Sequence, residues 1–358
     1  MVDARHPVSP PCPPPAPAAG RDPAPARRWS RYLVTALALW TGLLLTLNLL
    51  VDPFQVFGLL PLRDSYGPNE MLNKYRHLAA QPTRHDAFFI GSSRMGAFDP
   101  AHVAALRPER RYYNLGVLGS RPAEQLALLQ ALHTAGVTIR EVVVGLELYP
   151  FLTPPPRDAL TYRLPPEVTG ESRLSFHLAY LWQVDYPRLV SRLIHQFHAA
   201  PQMHFDFTGS GRYLLTGLER ERAADPQAYQ QRYVPDLPES PRPAGPPPWR
   251  ADAFAELTRL RDWLQAQGTT AWYFIHPFHP GDLTNVPVSA PAEFVRQLRA
   301  LLPAVHDFSR DARFLSSRDY YDYKHYTSVV ADGILHALFA ASPTASPSDS
   351  AALAGGGD

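Results

Sequence analysis

Ser93, Asp322 and His325 are the residues of this chain whose types and settings could perform nucleophilic chemistry. Ser93 closes Gly91-Ser92-Ser93, directly after the apolar run Asp86-Ala87-Phe88-Phe89-Ile90, so it should emerge at the C-terminal end of a buried strand and lead into a helix. Open α/β sheets place their chemistry at that edge. Asp322 and His325 stand three residues apart in Asp322-Tyr323-Lys324-His325, which puts both side chains on one side if the segment opens a helix. A serine hydroxyl is a weak nucleophile until an imidazole takes its proton and a carboxylate orients that imidazole. These three groups would make a Ser-His-Asp hydrolase. Ser92 is the rival nucleophile and Asp319 the rival carboxylate, with the spacing to His325 favouring Asp322.

A further block, Tyr112-Tyr113-Asn114-Leu115-Gly116-Val117-Leu118-Gly119, reads as a strand leaving through a glycine-containing turn into a helix over Pro122 to Leu132. Glycine there lets backbone N–H groups approach a ligand closely. With these motifs the chain resembles the SGNH (GDSL-like) hydrolase superfamily over roughly residues 84 to 150 and 250 to 340. The resemblance implies Ser93 as nucleophile, Asp322 and His325 as the rest of the triad, and the N–H groups of Ser93 and Gly119 as oxyanion donors. It also implies a flavodoxin-like three-layer α/β/α sandwich. The chain is most similar to the membrane-anchored branch of that superfamily, with the alginate O-acetylation and teichoic acid D-alanylation proteins. The implied substrate is an acyl-bearing carbohydrate of the cell envelope, and the implied partners are other parts of an envelope polysaccharide machinery.

One position departs from the family pattern. The third block of the superfamily supplies an Asn side chain to the oxyanion hole, whereas the matching strand end here reads Gly145-Leu146-Glu147-Leu148. A carboxylate donates no hydrogen bond unless protonated, and losing one such donor costs about a hundredfold in rate. Glu147 therefore faces away, stays protonated or marks a divergent site, which leaves open a catalytically weak binding or assembly component. Arg94 could bind an anionic acceptor or pair with a carboxylate. Asn114, Glu147 and His276 are further candidates for substrate contact, His276 and His279 because His276-Pro277-Phe278-His279 follows a predicted strand. Asn73, Lys74 and Arg76 are expected to pack or solvate the connector. His177, His195 and His198 invite a metal-site reading, but His195 and His198 lack carboxylates at ligand spacing, so ordinary partly buried histidines and no metal site are expected, and Gly209-Ser210-Gly211 has no strand before it to make a phosphate loop. No cofactor is expected.

The elements that must position these groups alternate. Strands are predicted at Ala87 to Ile90, Arg111 to Asn114, Glu141 to Gly145, Thr270 to Ile275 and Val305 to Phe308, with helices at Met71 to Ala80, Asp252 to Gln267 and Val295 to Leu302. Such alternation implies a parallel sheet with helices on both faces. The expected organisation is a Pro-rich disordered tail over 1–31, a transmembrane helix over 32–51, a connector over 52–83, the α/β domain over 84–150 and 251–341, and a tail over 342–358. An inserted helical cap fills 151–250, because the segment between the third and fourth strands is too long for a simple crossover. Within it, residues 172–200 are helical in period apart from Pro187. The cap is either a lid or acceptor surface over Ser93, or packing against the sheet or membrane.

The 358 residues carry 45% hydrophobic and 19% charged side chains, enough for a sizeable core, and the net charge of +1 leaves no basic surplus for nucleic acid. The single cysteine, Cys12, excludes an intrachain disulfide. Tyr32 to Val51 is an uncharged run long enough to span a bilayer, without a small-x-small cleavage site after it. Arg21, Arg27, Arg28 and Arg31 precede it, so the positive-inside rule keeps the N-terminus cytoplasmic and sends the large domain to the other side, the periplasm in a Gram-negative bacterium.

Overall fold

The computed structural model describes residues 23–62, 67–153, 158–197, 203–235 and 241–340. The expectations for Cys12, His198, residues 1–22 of the N-terminal tail, the C-terminal tail and part of the Pro-rich loop over 235–248 lie outside the described residues. The chain forms two compact units, 1–46 and 47–358.

Helix α1 (Pro23–Val51) supplies the described part of the first unit and runs into the second. It starts ahead of the predicted Tyr32, since Pro23 and Pro25 fall in its first turn, where a missing N–H has no intrahelical partner to lose. Its segment Arg27–Val51, 25 residues containing an 18-residue window of mean hydropathy 2.0, is long and apolar enough to cross a membrane.

In the second unit, α2 (Glu70–Ala80) is followed by β1 (Ala87–Ile90), β2 (Tyr112–Asn114), α3 (Pro122–Thr134) and β3 (Glu141–Leu146). Asn69 caps α2 by accepting from the Leu72 N–H. The segment inserted after β3 holds α4 (Arg173–Trp182) and α5 (Tyr186–His195), and the sheet resumes with α6 (Ala253–Ala266), β4 (Thr270–Ile275), α7 (Ala290–Leu301), β5 (His306–Asp307) and α8 (Ser328–Ala340). The five strands form one parallel sheet in the order β2-β1-β3-β4-β5, the doubly wound order with its switch point beside β1.

Every residue of β1 and β3 is buried, which is why both read as continuous apolar runs. Alternate side chains go to opposite faces. Phe88, Ile90, Val142 and Val144 pack with Leu128 and Leu132 of α3, Leu257 and Leu260 of α6 and Phe294 of α7. Ala87, Phe89, Val143 and Phe274 pack instead with Ile334, Leu335 and Leu338 of α8. Helices thus cover both faces of the sheet. Helix α7 begins five residues before the predicted Val295, because Ala290 and Pro291 suit a first turn.

The insert over 151–250 does not fold as a compact unit of its own. The predicted helical stretch 172–200 is two helices: the chain breaks at Gln183, Asp185 accepts from the Arg188 N–H, and Pro187 sits in the first turn of α5. Phe176 and Tyr180 of α4 pack on Phe54, Val56 and Leu72, so this part of the insert clamps the connector. The insert also holds the helices Pro166–Thr169, Thr216–Ala224 and Pro226–Tyr233 and an antiparallel ribbon pairing His204–Phe205 with Tyr213–Leu214.

Candidate active site

Strand β1 ends at Ile90, and Ser93 opens a single 3-10 turn, Ser93–Ala97, at the C-terminal edge of the sheet. Three neighbours fix that turn. Asn114, at the end of β2, donates from Nδ2 to the carbonyls of Met95 (2.5 Å) and Phe98 (2.9 Å) and accepts the Gly116 N–H at 3.0 Å. Tyr213 of the ribbon donates its hydroxyl to the Ser93 carbonyl at 2.6 Å. Its ring lies so close to Gly96 that a Cβ there would sit 2.0 Å from a ring carbon, so only glycine fits. Arg212 donates from Nε to the Gly96 carbonyl at 3.1 Å and ion-pairs with Asp99.

The structure brings Ser93, His325 and Asp322 together. Ser93 Oγ lies 3.0 Å from His325 Nε2, and His325 Nδ1 lies 2.8 Å from Asp322 Oδ2 and 3.0 Å from Oδ1. A neutral imidazole that donates from Nδ1 to Asp322 presents Nε2 as acceptor for the Ser93 hydroxyl. The expected helical turn at Asp322–His325 is absent. The segment is a loop ahead of α8, closed because Asp322 Oδ1 accepts the N–H groups of Lys324 (2.7 Å) and His325 (2.8 Å). Burial opposes ionisation of Asp322, but the hydrogen bonds from His325 and these backbone donors outweigh it and hold its carboxyl below the usual range. The Asp319 carbonyl accepts the Thr327 N–H, while the carboxylate at the histidine is that of Asp322. Ser92 is buried behind the turn.

Arg94 does not reach out for an acceptor. It is buried, donates to the Pro277 carbonyl at 2.7 Å, and lies between two buried carboxylates, Asp282 and Glu147, the latter 3.0 Å from its Nε. The Nε contact is an ion pair without hydrogen-bond alignment. Burial works against the cation, but Glu147 and Asp282 outweigh it and raise the Arg94 pKa. Burial also pushes the Glu147 carboxyl up, and Arg94 and His325 pull it only partly back. Glu147 is therefore committed to an internal charge cluster.

Three more expectations are corrected. Asn114 is fully buried and holds the Ser93–Ala97 turn, with no surface left for a substrate contact. His276 is fully buried with Nδ1 2.5 Å from the Tyr326 hydroxyl, and burial followed by the nearby Arg94 holds its pKa well below the usual value. It is closed off because Tyr326 and Phe274 pack on it. His279 is buried too, with Nε2 3.0 Å from Ser317 Oγ.

Gly119 adopts φ +64°, the conformation that favours glycine, and its loop is tied to β1 by bonds from Val117 N (3.1 Å) and Ser120 Oγ (2.9 Å) to the Gly91 carbonyl. The N–H groups of Ser93 and Gly119 make no hydrogen bond among the described residues, so both remain open as donors. Gly119 stands apart from the residues that line the cleft, and a Cβ on it would meet the Tyr162 hydroxyl of the insert at 2.8 Å.

A buried pair missed in the sequence supports this loop from below. Glu70 accepts the Leu118 N–H at 3.1 Å and stands 3.7 Å from Lys74, which donates to the Gly116 carbonyl. Burial lifts Glu70 to about 7, partly offset by Lys74, and brings Lys74 down to about 8, partly offset by Glu70. The i,i+4 spacing of Glu70 and Lys74 was the available signal. Asn73 and Arg76 bond connector carbonyls of Gln55 and Val56, as packing residues do.

His177 bonds the Arg173 carbonyl and Arg76, and His195 bonds the Ser191 carbonyl. Among the described residues no three His, Cys, Asp or Glu side chains gather to hold a metal. Gly209-Ser210-Gly211 is a turn in which Asp206 accepts the N–H groups of Gly209 and Ser210. A narrow cleft opens at Ser93 and His325, walled by Arg212, Leu214, Leu215 and Glu219 of the insert. A larger groove shares Glu219 with it and runs past Arg222, Gln227, Gln230 and Arg318. No protein-family model matches this chain, and no curated protein matches it.

Proposed function

We propose that the chain is a membrane-anchored SGNH-like serine esterase or O-acyltransferase acting on acyl esters of a cell-envelope polysaccharide. The observation that carries this reading is the continuous Ser93–His325–Asp322 hydrogen-bonded relay at the C-terminal edge of a doubly wound sheet. Ser93 Oγ attacks the acyl carbonyl carbon while His325 Nε2 takes its proton. The new C–O bond forms as the carbonyl π pair moves to oxygen, where the Ser93 N–H group stabilises the charge. Collapse expels the sugar oxygen, which receives the proton from His325. Water or another sugar hydroxyl then attacks the acyl-serine by the same steps reversed. The groove that shares Glu219 with the cleft, lined by polar side chains such as Arg222, Gln227 and Gln230 together with apolar and aromatic ones, offers room for a polymer of sugar units. Helix α1 serves as an uncleaved anchor in the inner membrane, with the basic residues before it on the cytoplasmic side and the large domain outside.

A second reading follows from Glu147. With its carboxyl engaged by Arg94, the site lacks a side-chain oxyanion donor from β3, which favours a weakly active or inactive component that binds acylated polymer. Turnover of p-nitrophenyl acetate and acetate release from an acetylated polysaccharide, by the full chain and Ser93→Ala, separate the two. Release that disappears in Ser93→Ala supports catalysis; polymer binding with no release in either protein supports the binding reading.

A further inference from the structure

Helices α4 and α5, a hairpin in sequence joined by residues 183–185, each carry an apolar stripe that the chemistry at Ser93 does not use. On α4, Phe176 and Tyr180 point inward, and the opposite side presents Leu174, Leu178 and Trp182, the first and last 71% and 62% exposed. Positions i, i+4 and i+8 fall on one stripe of a helix. On α5 the same spacing exposes Tyr186, Val190 and Ile194. Large apolar side chains left exposed along one stripe of each of two successive helices mark an interaction surface.

Its place in the fold says what covers it. Residues 47–51, the end of α1, belong to the same compact unit as the hairpin. Asn48 Nδ2 donates to the carbonyls of Tyr180 (2.7 Å) and Leu181 (2.9 Å), and Arg192 of α5 donates to the Asp52 carbonyl. Both helices are therefore bonded to the point where the apolar helix ends. Leu59 and Leu60 of the connector, a few residues beyond that point, are exposed as well. The charges nearby are internally matched, Arg173 with Glu167 and Arg188 with Asp158, so few unpaired charges oppose contact with an apolar phase.

We propose that the α4–α5 hairpin lies on the bilayer surface where α1 leaves the membrane, with the Leu174–Leu178–Trp182 and Tyr186–Val190–Ile194 stripes set into the boundary between headgroups and acyl chains. Trp182 and Tyr186, with apolar rings and polar tips, are the side-chain types that settle at this level, and a two-faced helix lies in the plane of the interface. Through Phe176, Tyr180 and the connector, the hairpin makes the membrane a second attachment for the α/β domain. The inference rests on α1 crossing the membrane and is independent of the chemistry at Ser93.

The test uses the full chain in lipid nanodiscs with Cys12→Ser as background and single nitroxide labels at Leu178→Cys and Val190→Cys. Leu43→Cys in α1 and Val288→Cys on an exposed loop are the references. Relative accessibility to oxygen and to a water-soluble nickel chelate reads depth. The expected result is an oxygen-to-nickel ratio at 178 and 190 several-fold above that at 288, approaching that at 43. Ratios at 178 and 190 equal to that at 288, with 43 in lipid, overturn the hairpin contact. A water-like ratio at 43 removes the span and the proposal with it. Spin–spin broadening at 178 or 190 that vanishes on dilution with unlabelled chain shows a second copy on this face and also overturns it.

Discussion

Replacing Arg94 with methionine removes the cation from a cluster whose side chains are 2% (Arg94), 7% (Glu147) and 1% (Asp282) exposed. Breaking a buried ion pair on one side costs about 3–5 kcal/mol, because the remaining charge stays buried without compensation. For a domain of this size that corresponds to a loss of roughly 6–20 °C in Tm. The loss must depend on pH. Burial already raises the Glu147 carboxyl against the pull of Arg94, and without Arg94 it rises further. A carboxyl whose folded-state pKa lies above its unfolded value contributes stability at acid pH that is lost as pH rises through the folded value. The deficit of Arg94→Met relative to wild type should therefore be small near pH 5 and larger at pH 8, with each unit of additional shift worth about 1.4 kcal/mol. Thermal unfolding of the full chain in nanodiscs, followed by tryptophan fluorescence across that range, measures it. An equal deficit at both ends would mean that lost packing, not an uncompensated anion, is responsible, and no deficit at either would refute the buried cluster.

Two further substitutions probe the supports of the nucleophile. Tyr213→Phe deletes the hydroxyl bond to the Ser93 carbonyl while keeping the ring against Gly96, and should cost about 1 kcal/mol of stability. Its rate of labelling by a serine-reactive probe should fall more than its Tm implies, and an unchanged rate would show that the insert does not position Ser93. Glu70→Gln removes a carboxyl lifted to about 7, whose stability contribution is present below the ordinary carboxylate range and lost as pH rises through about 7. The fall in Tm between pH 5 and pH 7.5 should therefore be smaller in the variant, and superimposable Tm curves would contradict the buried Glu70–Lys74 pair.

The sheet was legible because β1 and β3 are buried on both faces. Ala87–Ile90 and the half-buried Thr270–Ile275 stand where the apolar runs predict, and α6 ends one residue short of its predicted boundary, just ahead of Gly268. Ser93 was legible as a strand-end residue. Asp322 and His325 were legible as a spacing, although a side-chain-closed turn and not a helix delivers them. The pairing of Arg94 with Glu147 and Asp282 was not, since nothing local to Arg94 distinguishes a buried guanidinium from one facing a ligand. The same holds for His276, which follows a strand but is covered by Tyr326 from a segment distant in sequence. Tyr213 escaped notice because a two-residue strand leaves almost no periodic signal. Glu70 and Lys74 have the spacing of an ordinary solvent-exposed pair, and only the packing of α2 under the Gly116–Leu118 loop buries them.

The central claim is that His325 activates Ser93. The direct measurement is intact-mass analysis of the full chain after fluorophosphonate treatment, for wild type, Ser93→Ala, Ser92→Ala and His325→Ala. The account predicts one adduct in wild type and Ser92→Ala and none in Ser93→Ala or His325→Ala. A folded wild type that takes no adduct, or an adduct that survives Ser93→Ala, contradicts it.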